Sequence, residues 1–424
     1  MHMRSWLAVS AGAGALLAVL ALLGGCGGGT RAAAGGPSGA DPAPTAVVQD
    51  EASAAPVDPR LIAADNAFGL DLFAALNPGA AANVAISPTS VALVLQIIYN
   101  GAAGATQQAM AQALALGSLT TADLNAANAA LQASLLGAEP DVELTLANSL
   151  WMHLAQNPVL PSFTAVNETY YGAMIGDLAG APANVNAWVA GATQGLVTQI
   201  LPPRDYALVD AVIANAVYFK GAWTAAFDPT QTATAPFVRA DGTQVSAQLM
   251  HQTGSFPYWK GANFQALRLP YGQQARLGML IVLPDPGVTL ADVVAGISAA
   301  SLDAWSSQLA PAYGGIALPR FTSSYGAALP AALSALGMGI AFDAAAADFS
   351  GIAPQTYLAD VEHKVVVEVD ESGTVAAGAT TGTVGVTVVE APQFTMTVDR
   401  PFFYAIRDDA TGALLFIGTL VDPG

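Results

Sequence analysis

The sequence predicts an α+β protein built largely on antiparallel sheets. Segments with apolar residues at helical spacing fill the first half of the globular region, whereas β-branched segments dominate from residue 212 onward. Helices come first and strands later, without the regular strand–helix alternation of a doubly wound fold. The chain has 424 residues, of which 53% are hydrophobic and only 10% are charged, so a sizeable core is readily built.

The N-terminal region is predicted to direct export and lipid attachment. Arg4 precedes an apolar stretch from Trp6 to Leu23, and the sequence Leu-Gly-Gly-Cys ends at Cys26, the only cysteine of the chain. This sequence resembles the lipobox of bacterial lipoproteins, in which the chain is cleaved before the cysteine and the thiol receives a diacylglycerol. An ordinary signal peptide that happens to contain a cysteine is the alternative.

These features divide the chain into three parts. Residues 1–25 are the signal peptide, residues 26–59 are the lipidated cysteine and a disordered Gly/Ala/Pro-rich tether, and residues 60–424 are one globular domain. The expected location is the cell envelope, with the bilayer as a partner and the anchor in the outer membrane or at the cell surface, or else the extracellular space. A single cysteine also excludes an intrachain disulfide.

The elements of the globular domain follow from apolar spacing and from breakers. The first helix is expected to end at Asn77-Pro78-Gly79, and Pro88 suits the first turn of a second helix that is apolar nearly all round. The predicted helices are 61–76, 91–98, 106–116, 122–136, 162–171, 185–200, 289–296, 301–309 and 326–336. The predicted strands are 142–151, 212–219, 264–269, 277–283, 315–321, 361–369, 384–389, 394–398, 402–407 and 413–420.

Charge and motifs exclude several classes of function. Lys and Arg number 13 and Asp and Glu number 31, and this net charge of −18 leaves no basic patch for nucleic acid or a heparin-like polyanion. The sequence lacks the local signatures of common hydrolase nucleophiles, zinc sites and phosphate loops. We therefore expect no enzyme activity, no metal site and no cofactor. We interpret the adjacent acids at 370–371 and 408–409 as solvated turn residues.

The segment 362–381 changes character partway along its length. It begins as a strand, with valine at four of the five positions 365–369, and it ends in small uncharged residues from Thr374 to Thr381. A permanent core strand would normally carry bulky residues on alternate positions, and a permanent loop would carry polar turn residues. We interpret the segment as one that is exposed in one state and buried in another.

Four motifs occur in a specific order and spacing: NVAISPTS at 83–90, NAVYFKGAW at 215–223, HKVVVEVDESGTVAAGATT at 363–381 and DRPFFYAI at 399–406. Together they resemble the serpin family of protease inhibitors, over residues 60–422. The resemblance implies three mostly antiparallel sheets with surrounding helices and an exposed reactive-centre loop. It also implies a monomer that inhibits a serine protease as a suicide substrate. The protease cleaves the loop and forms an acyl-enzyme, and the loop then inserts into the central sheet.

The resemblance assigns a hinge at the base of this loop. Its residues must be small to enter a sheet, apart from an acid that pairs with a base on a neighbouring strand. The hinge comprises Glu371, Gly373, Thr374, Ala376, Ala377, Gly378 and Ala379. Val375 replaces an acid that is common in inhibitory members, at a position expected to face outward. The alternative is a non-inhibitory serpin acting as a binding protein; such members typically carry proline or bulky or charged residues here.

Further residues match structural positions of the family. Arg320 matches the base that pairs with the hinge acid, and Trp223 matches the tryptophan beneath the point where insertion begins. A polar cluster under the central sheet, where its strands part, is matched by Ser87, Ser90, Asn215 and His363. A core histidine with no switching role is the alternative for the last of these.

The resemblance also places the cleaved bond. By the family's spacing from the hinge acid it is expected at Thr387-Val388, with Glu390-Ala391 as the alternative. No basic or aromatic side chain lies between residues 384 and 389, and small β-branched residues favour an elastase-like target with a shallow specificity pocket. A glutamate-specific protease is the alternative through Glu390, and subtilisin-like or papain-like proteases stay open.

Overall fold

A computed structural model of the protein describes residues 56–136, 138–373 and 391–424. Its α-helices are α1 Pro59–Leu76, α2 Pro88–Tyr99, α3 Gly104–Ala113, α4 Thr121–Leu136, α5 Pro161–Tyr170, α6 Ala183–Ala192, α7 Leu290–Val294, α8 Ala299–Gln308 and α9 Pro330–Leu333. Shorter 3₁₀ or π turns occupy Pro78–Ala80, Pro229–Gln231, Ser334–Met338 and Gly339–Phe342. None of the described helices is both long enough and apolar enough to cross a membrane.

The strands of the described residues are β1 Val84–Ile86, β2 Val142–Met152, β3 Met174–Asp177, β4 Ala211–Gly221, β5 Ala233–Val238, β6 Gln244–Lys260, β7 Phe264–Pro270, β8 Leu277–Pro284, β9 Ala310–Pro319, β10 Phe321–Ala328, β11 Leu358–Val369, β12 Phe394–Thr397, β13 Phe402–Asp408 and β14 Leu414–Leu420. Most neighbouring strands are antiparallel, and the exceptions are the pairs β11–β4, β2–β3 and β12–β9. The α+β class with mostly antiparallel sheets is confirmed.

The strands form two hydrogen-bonded sheets. One has five strands in the order β10-β11-β4-β2-β3, and the other follows the path β1-β14-β13-β8-β7-β6-β9-β12, with β5 paired to β6. The family resemblance implies three sheets. The hydrogen bonding joins two of them, because the long strand Gln244–Lys260 pairs with β5 and β9 over most of its length and with β7 at its end.

Helix α2 connects the two sheets through the core. Ser87 caps its first turn, with the side-chain oxygen accepting from the backbone N–H of Ser90 at 3.3 Å, and Pro88 opens it. Eleven of its twelve residues are buried, and it packs against β14 of the large sheet and against β2 and β4 of the smaller one. The apolar run of this helix is therefore a consequence of burial on all sides.

Some boundaries differ from the predicted ones. The helix predicted over 185–200 ends at Ala192, because Gln194 (φ 53°) and Gly195 (φ 83°) adopt left-handed backbone conformations. The helix predicted over 326–336 begins as strand, since residues up to Ala328 pair with β11. Five of the described strands were not predicted: Val84–Ile86, Met174–Asp177, Ala233–Val238, Gln244–Lys260 and Phe321–Ala328.

Candidate functional site

The candidate site is the line along which β4 and β11 pair, which we call the seam. These two strands are parallel, with His363 opposite Asn215 and Val367 opposite Phe219, while their outer neighbours β2 and β10 are antiparallel to them. We call the end near Val367 the upper end and the end near Leu358 the lower end. β11 ends at the upper end of the seam, where β4 lies beside it and runs in the same direction.

A tight turn over residues 370–373 reverses the chain at the upper end of the seam. The carboxylate of Asp370 accepts from the backbone N–H of Ser372 at 2.9 Å, and its carbonyl accepts from the N–H of Gly373 at 3.1 Å. Gly373 has φ +83°, and a Cβ there would lie 2.2 Å from the backbone nitrogen of Trp223. Glycine is therefore required at 373 both for its conformation and for this close approach.

Trp223 forms the surface on which this turn rests. Its backbone N–H donates to the carbonyl of Ser372 at 3.1 Å, and its indole N–H donates to the carbonyl of Asp370 at 2.9 Å. The indole ring stacks on Tyr271, with centroids 4.3 Å apart and an interplanar angle of 13°. The backbone N–H of Phe227 donates to the carbonyl of Glu371 at 2.8 Å. These contacts attach the end of β11 to the chain that follows β4.

Glu371 lies in this turn and pairs with Arg320, between β9 and β10. An Arg320 Nη atom lies 2.5 Å from each carboxylate oxygen of Glu371, and the Thr232 hydroxyl donates to the same carboxylate at 2.5 Å. Burial by itself would raise the pKa of Glu371, but the hydrogen bonds from Thr232 and Arg320 outweigh it and hold this pKa below its ordinary value. The ion pair is half open to solvent on the arginine side, so its net stabilisation is modest.

The interpretation of the adjacent acids as solvated turn residues is wrong for two of the four. Glu371 is buried as described, and Asp408 is fully buried, with its carboxylate 2.7 Å from the Arg276 Nε atom. In both cases an arginine from another part of the chain compensates the charge. The family resemblance indicated Arg320 as the partner of Glu371, whereas nothing in the sequence indicated Arg276 as the partner of Asp408.

The four polar residues matched to the family's cluster meet at the middle of the seam. Asn215 on β4 donates through its amide to the Ser90 hydroxyl at 2.6 Å, and its amide oxygen lies 2.5 Å from Nδ1 of His363 on β11. The backbone N–H of Ser87 donates to Nε2 of His363 at 3.2 Å. All four residues are fully buried. The cluster therefore links the first turn of α2 to both strands of the seam.

This network fixes the protonation state of His363. Because Nε2 accepts from Ser87, the proton of the neutral ring sits on Nδ1 and is donated to Asn215. Burial lowers the pKa of His363 to about 3, and its hydrogen bond with Asn215 only partly offsets that effect. His363 is thus uncharged at neutral pH.

Sequence reasoning missed three residues of the site. Asn148 on β2 accepts from the Asn215 amide at 2.5 Å, Thr232 binds Glu371, and Tyr271 supports Trp223. Asn148 had a weak signal, since it is a polar residue in the mostly apolar and buried second half of its strand. The other two lie far from their partners in the sequence and carry no such signal.

Several predicted site residues lie outside the described residues. These are Cys26, Thr374, Ala376, Ala377, Gly378, Ala379, Thr387, Val388 and Glu390, together with the predicted strand 384–389. Ala391 is described and is exposed. Within the part of the chain that the structure describes, no group of three or more His, Cys, Asp and Glu side chains could hold a metal ion.

Comparison with known proteins yields consistent matches over the globular region. A family model described as Serpin (serine protease inhibitor) matches residues 63–423. An uncharacterized serpin-like protein of Thermococcus kodakarensis is 34% identical over 372 residues, which cover 86% of each chain. Leukocyte elastase inhibitor of Sus scrofa is 32% identical over 385 residues, which cover 86% of this chain and 100% of its own. The native structure of the thermophilic serpin tengpin superposes with a TM-score of 0.78 at 26% identity, covering 87% of this chain and 95% of that one.

Substituting Gly373→Ala should loosen the turn at the upper end of the seam. The left-handed conformation costs alanine about 1–2 kcal/mol, and the added Cβ also collides with the backbone of Trp223. Gly242→Ala is the matched control, because Gly242 has φ +81° with nothing within 4 Å of the new Cβ. We expect the urea midpoint to fall further for Gly373→Ala than for the control. Equal falls would contradict the contact with Trp223.

The buried neutral His363 should make stability depend on pH. In the unfolded chain its pKa is near 6.5 and in the folded chain about 3, so only the unfolded state binds the proton between these values. The contribution of His363 to stability should fall as pH drops through this window, by about 2 kcal/mol between pH 7 and pH 5. Asp65 and Glu362, whose pKa values burial raises to about 8 and about 7, act in the opposite direction over the same range, so the contribution of His363 is measured as a difference between variants.

The comparison is between wild type, His363→Gln and the control His251→Gln, in urea unfolding at pH 7 and pH 5. His251 is only partly buried, and its Nδ1 lies 3.0 Å from the carbonyl of Gln231. From pH 7 to pH 5, His363→Gln should gain about 2 kcal/mol of stability relative to wild type, and the control should follow wild type. An unchanged pH dependence in His363→Gln would rule out this histidine as its source.

Proposed function

The chain belongs to the serpin family, and we propose that it inhibits a serine protease by acting as a suicide substrate. In this proposal the protease cleaves the chain beyond residue 380 and forms an acyl-enzyme. The chain that follows Gly373 then enters the five-stranded sheet between β4 and β11 and carries the protease with it. The observation that supports this most strongly is the parallel seam, whose upper end is where β11 reverses direction.

The geometry favours insertion at this position over any other in the sheet. A strand that continues from the turn at 370–373 would run antiparallel to β11, and therefore antiparallel to β4 as well. One parallel ladder would be replaced by two antiparallel ladders, each with better hydrogen-bond geometry. The chain gains backbone hydrogen bonds on both sides, so the five-stranded state is held by a kinetic barrier and not by being the most stable arrangement.

The contacts across the seam supply part of that barrier. Asn215 and His363 face each other across it, and separating the strands breaks their hydrogen bond while both groups are shielded from water. At the upper end, the contacts of Trp223 with residues 370–372 would also have to rearrange. Insertion is thereby delayed until cleavage frees the loop.

The composition of the hinge supports inhibition over a non-inhibitory role. Thr374, Ala376 and Gly378 alternate with residues expected to face outward, and none is large or charged. Side chains of this size can pass into a closed sheet, and none of them carries a charge that would be buried without a partner. The leukocyte elastase inhibitor similar to this chain is named as an inhibitor and not as a catalyst, which supports the proposal that this protein is not an enzyme.

For the target we propose an elastase-like protease that cleaves Thr387-Val388. Small β-branched residues around this bond fit a shallow specificity pocket. The similarity to a leukocyte elastase inhibitor adds support, although that name describes the relative. Cleavage at Glu390-Ala391 by a glutamate-specific protease is the second candidate.

For the location we propose the bacterial cell envelope, with Cys26 carrying the lipid. Two features support this proposal: the Leu-Gly-Gly-Cys sequence at the end of the apolar stretch, and the Gly/Ala/Pro-rich segment that follows it up to residue 59. Acyl chains add about 0.8 kcal/mol per buried CH₂, so more than one chain would hold the inhibitor durably on the membrane.

Mixing the protein with elastase should give a complex that survives SDS. Ala376→Glu should instead be cleaved without complex formation, since a carboxylate entering the sheet would be buried without a partner, at roughly 1–3 kcal/mol or more. Val375→Glu is the matched control and should still form the complex, because its side chain is expected to face outward. The readouts are denaturing electrophoresis and mass spectrometry of the released peptide.

Clean cleavage of the wild-type protein with no complex and no rise in thermal stability would eliminate inhibition. A complex with a glutamate-specific protease alone would move the cleaved bond to Glu390-Ala391.

Lipidation predicts that the wild-type protein, expressed in a lipoprotein-processing bacterium, incorporates labelled palmitate and partitions into detergent. Cys26→Ala should lose both properties, while Ser38→Ala in the tether should keep them. A Cys26→Ala variant that remained labelled and anchored would refute the lipid site.

A further inference from the structure

A covering layer crosses one face of the seam. Helix α6 and the chain after it bury a set of apolar side chains against β2, β4 and β11, separate from the main core. The set comprises Ala147, Trp151, Leu178, Val185, Val189, Val197, Ile200, Leu201, Tyr206, Val212, Ala214, Ala216 and Val366. Any separation of β4 from β11 must therefore disturb this layer.

The layer holds the two strands of the seam differently. On β4 it packs on Val212, Ala214 and Ala216, but the residues directly opposite them on β11 are Asp360, Glu362 and Lys364. A pocket of about 600 Å³ lies between residues 196–202 and the part of β10 and β11 around Glu362 and Lys364. The layer is thus fastened firmly to β4 and loosely to this part of β11.

At the lower end of the seam, an ion pair connects the covering layer directly to β11. Arg204 places an Nη atom 2.6 Å from a carboxylate oxygen of Asp360, which is 6% exposed. The guanidinium lies over the ring of Tyr206, 4.9 Å from its centroid, and Tyr206 is itself buried in the covering layer. The pair therefore joins the β4 side of the seam to β11. Asp210, just before β4, adds a second tie by accepting from the backbone N–H of Tyr357 at 3.0 Å.

The position of the pair along the seam determines when it would have to open. If the chain after Gly373 pairs residue by residue with β11 from Val369 downward, residues 374–385 match the twelve residues of β11. Asp360 is then reached by residue 383, shortly before the proposed cleavage site. Neighbouring strands lie roughly 4.8 Å apart, so an inserted strand doubles the width of the seam and a direct Arg204–Asp360 contact cannot persist.

We propose that the Arg204–Asp360 pair is a clasp that slows the last stage of strand insertion. This inference rests on the proposed inhibitory function and adds a positioning element to it. The upper half of the seam can open while the clasp holds, and only complete insertion requires its release. Because the pair is partly exposed, we expect its loss to raise the rate of complete insertion two- to five-fold.

Synthetic peptides test the clasp without any protease. A peptide with the sequence of residues 374–385 should span the whole seam, whereas one of residues 374–380 should stop at His363 and leave the clasp untouched. Both are added to the full-length protein, and the rate of complex formation is followed by native electrophoresis. Arg204→Gln, Asp360→Asn and the double variant should each accelerate the long peptide two- to five-fold and leave the rate of the short peptide unchanged.

The double variant should be no faster than the singles, because either substitution alone already opens the pair. Arg239→Gln is the matched control: it removes another arginine–aspartate pair, with Asp422 at 2.7 Å, beside β5 and β14 of the other sheet, and should change neither rate. Long-peptide rates equal to wild type in all three variants, or equal acceleration of both peptides, would overturn the clasp. Failure of both peptides to enter the wild-type sheet, with no SDS-stable complex, would instead reject the proposed function.

Discussion

The parallel pairing of β4 and β11 at the centre of the five-stranded sheet is the constraint on which the rest of the structure depends. Every other pairing of these two strands is antiparallel. Two parallel strands cannot be connected by a tight turn. When the chain reverses after β11, it therefore turns into a direction opposite to that of both β11 and β4. The turn at 370–373 performs that reversal.

The interactions that keep the seam closed differ in kind along its length. The upper end relies on hydrogen bonds from Trp223 to residues 370–372, and the middle relies on buried neutral groups around Asn215 and His363. The lower end uses a partly exposed ion pair. Buried hydrogen bonds are costly to leave unmade, whereas exposed ion pairs contribute little. The largest local resistance to opening therefore lies in the middle of the seam.

Local sequence predicted most of the elements for physical reasons that can be named. The valines of β11 and the apolar run of α2 indicate their structures directly, and Asn77-Pro78-Gly79 ends α1 near the predicted place. The strand Gln244–Lys260 was missed because polar residues and Gly254 interrupt its alternation, and it is stabilised by three different partner strands. The helix predicted over 185–200 was too long. It ends at Ala192 because Gln194 and Gly195 adopt left-handed conformations, and glutamine gives no sign of such a conformation in the sequence.

The sequence by itself determined the fold class, the family and the small residues of the hinge, because these depend on residue type and spacing. Only the tertiary structure decided which charges are compensated. Arg276 compensates the buried carboxylate of Asp408, and Arg204 reaches Asp360 from 156 positions away in the chain, whereas the Glu371–Arg320 pair was already expected from the family resemblance. The tertiary structure also decided why residue 373 must be glycine: a Cβ at this position would collide with the backbone of Trp223. Such pairings depend on which segments folding brings together, and no local pattern records them.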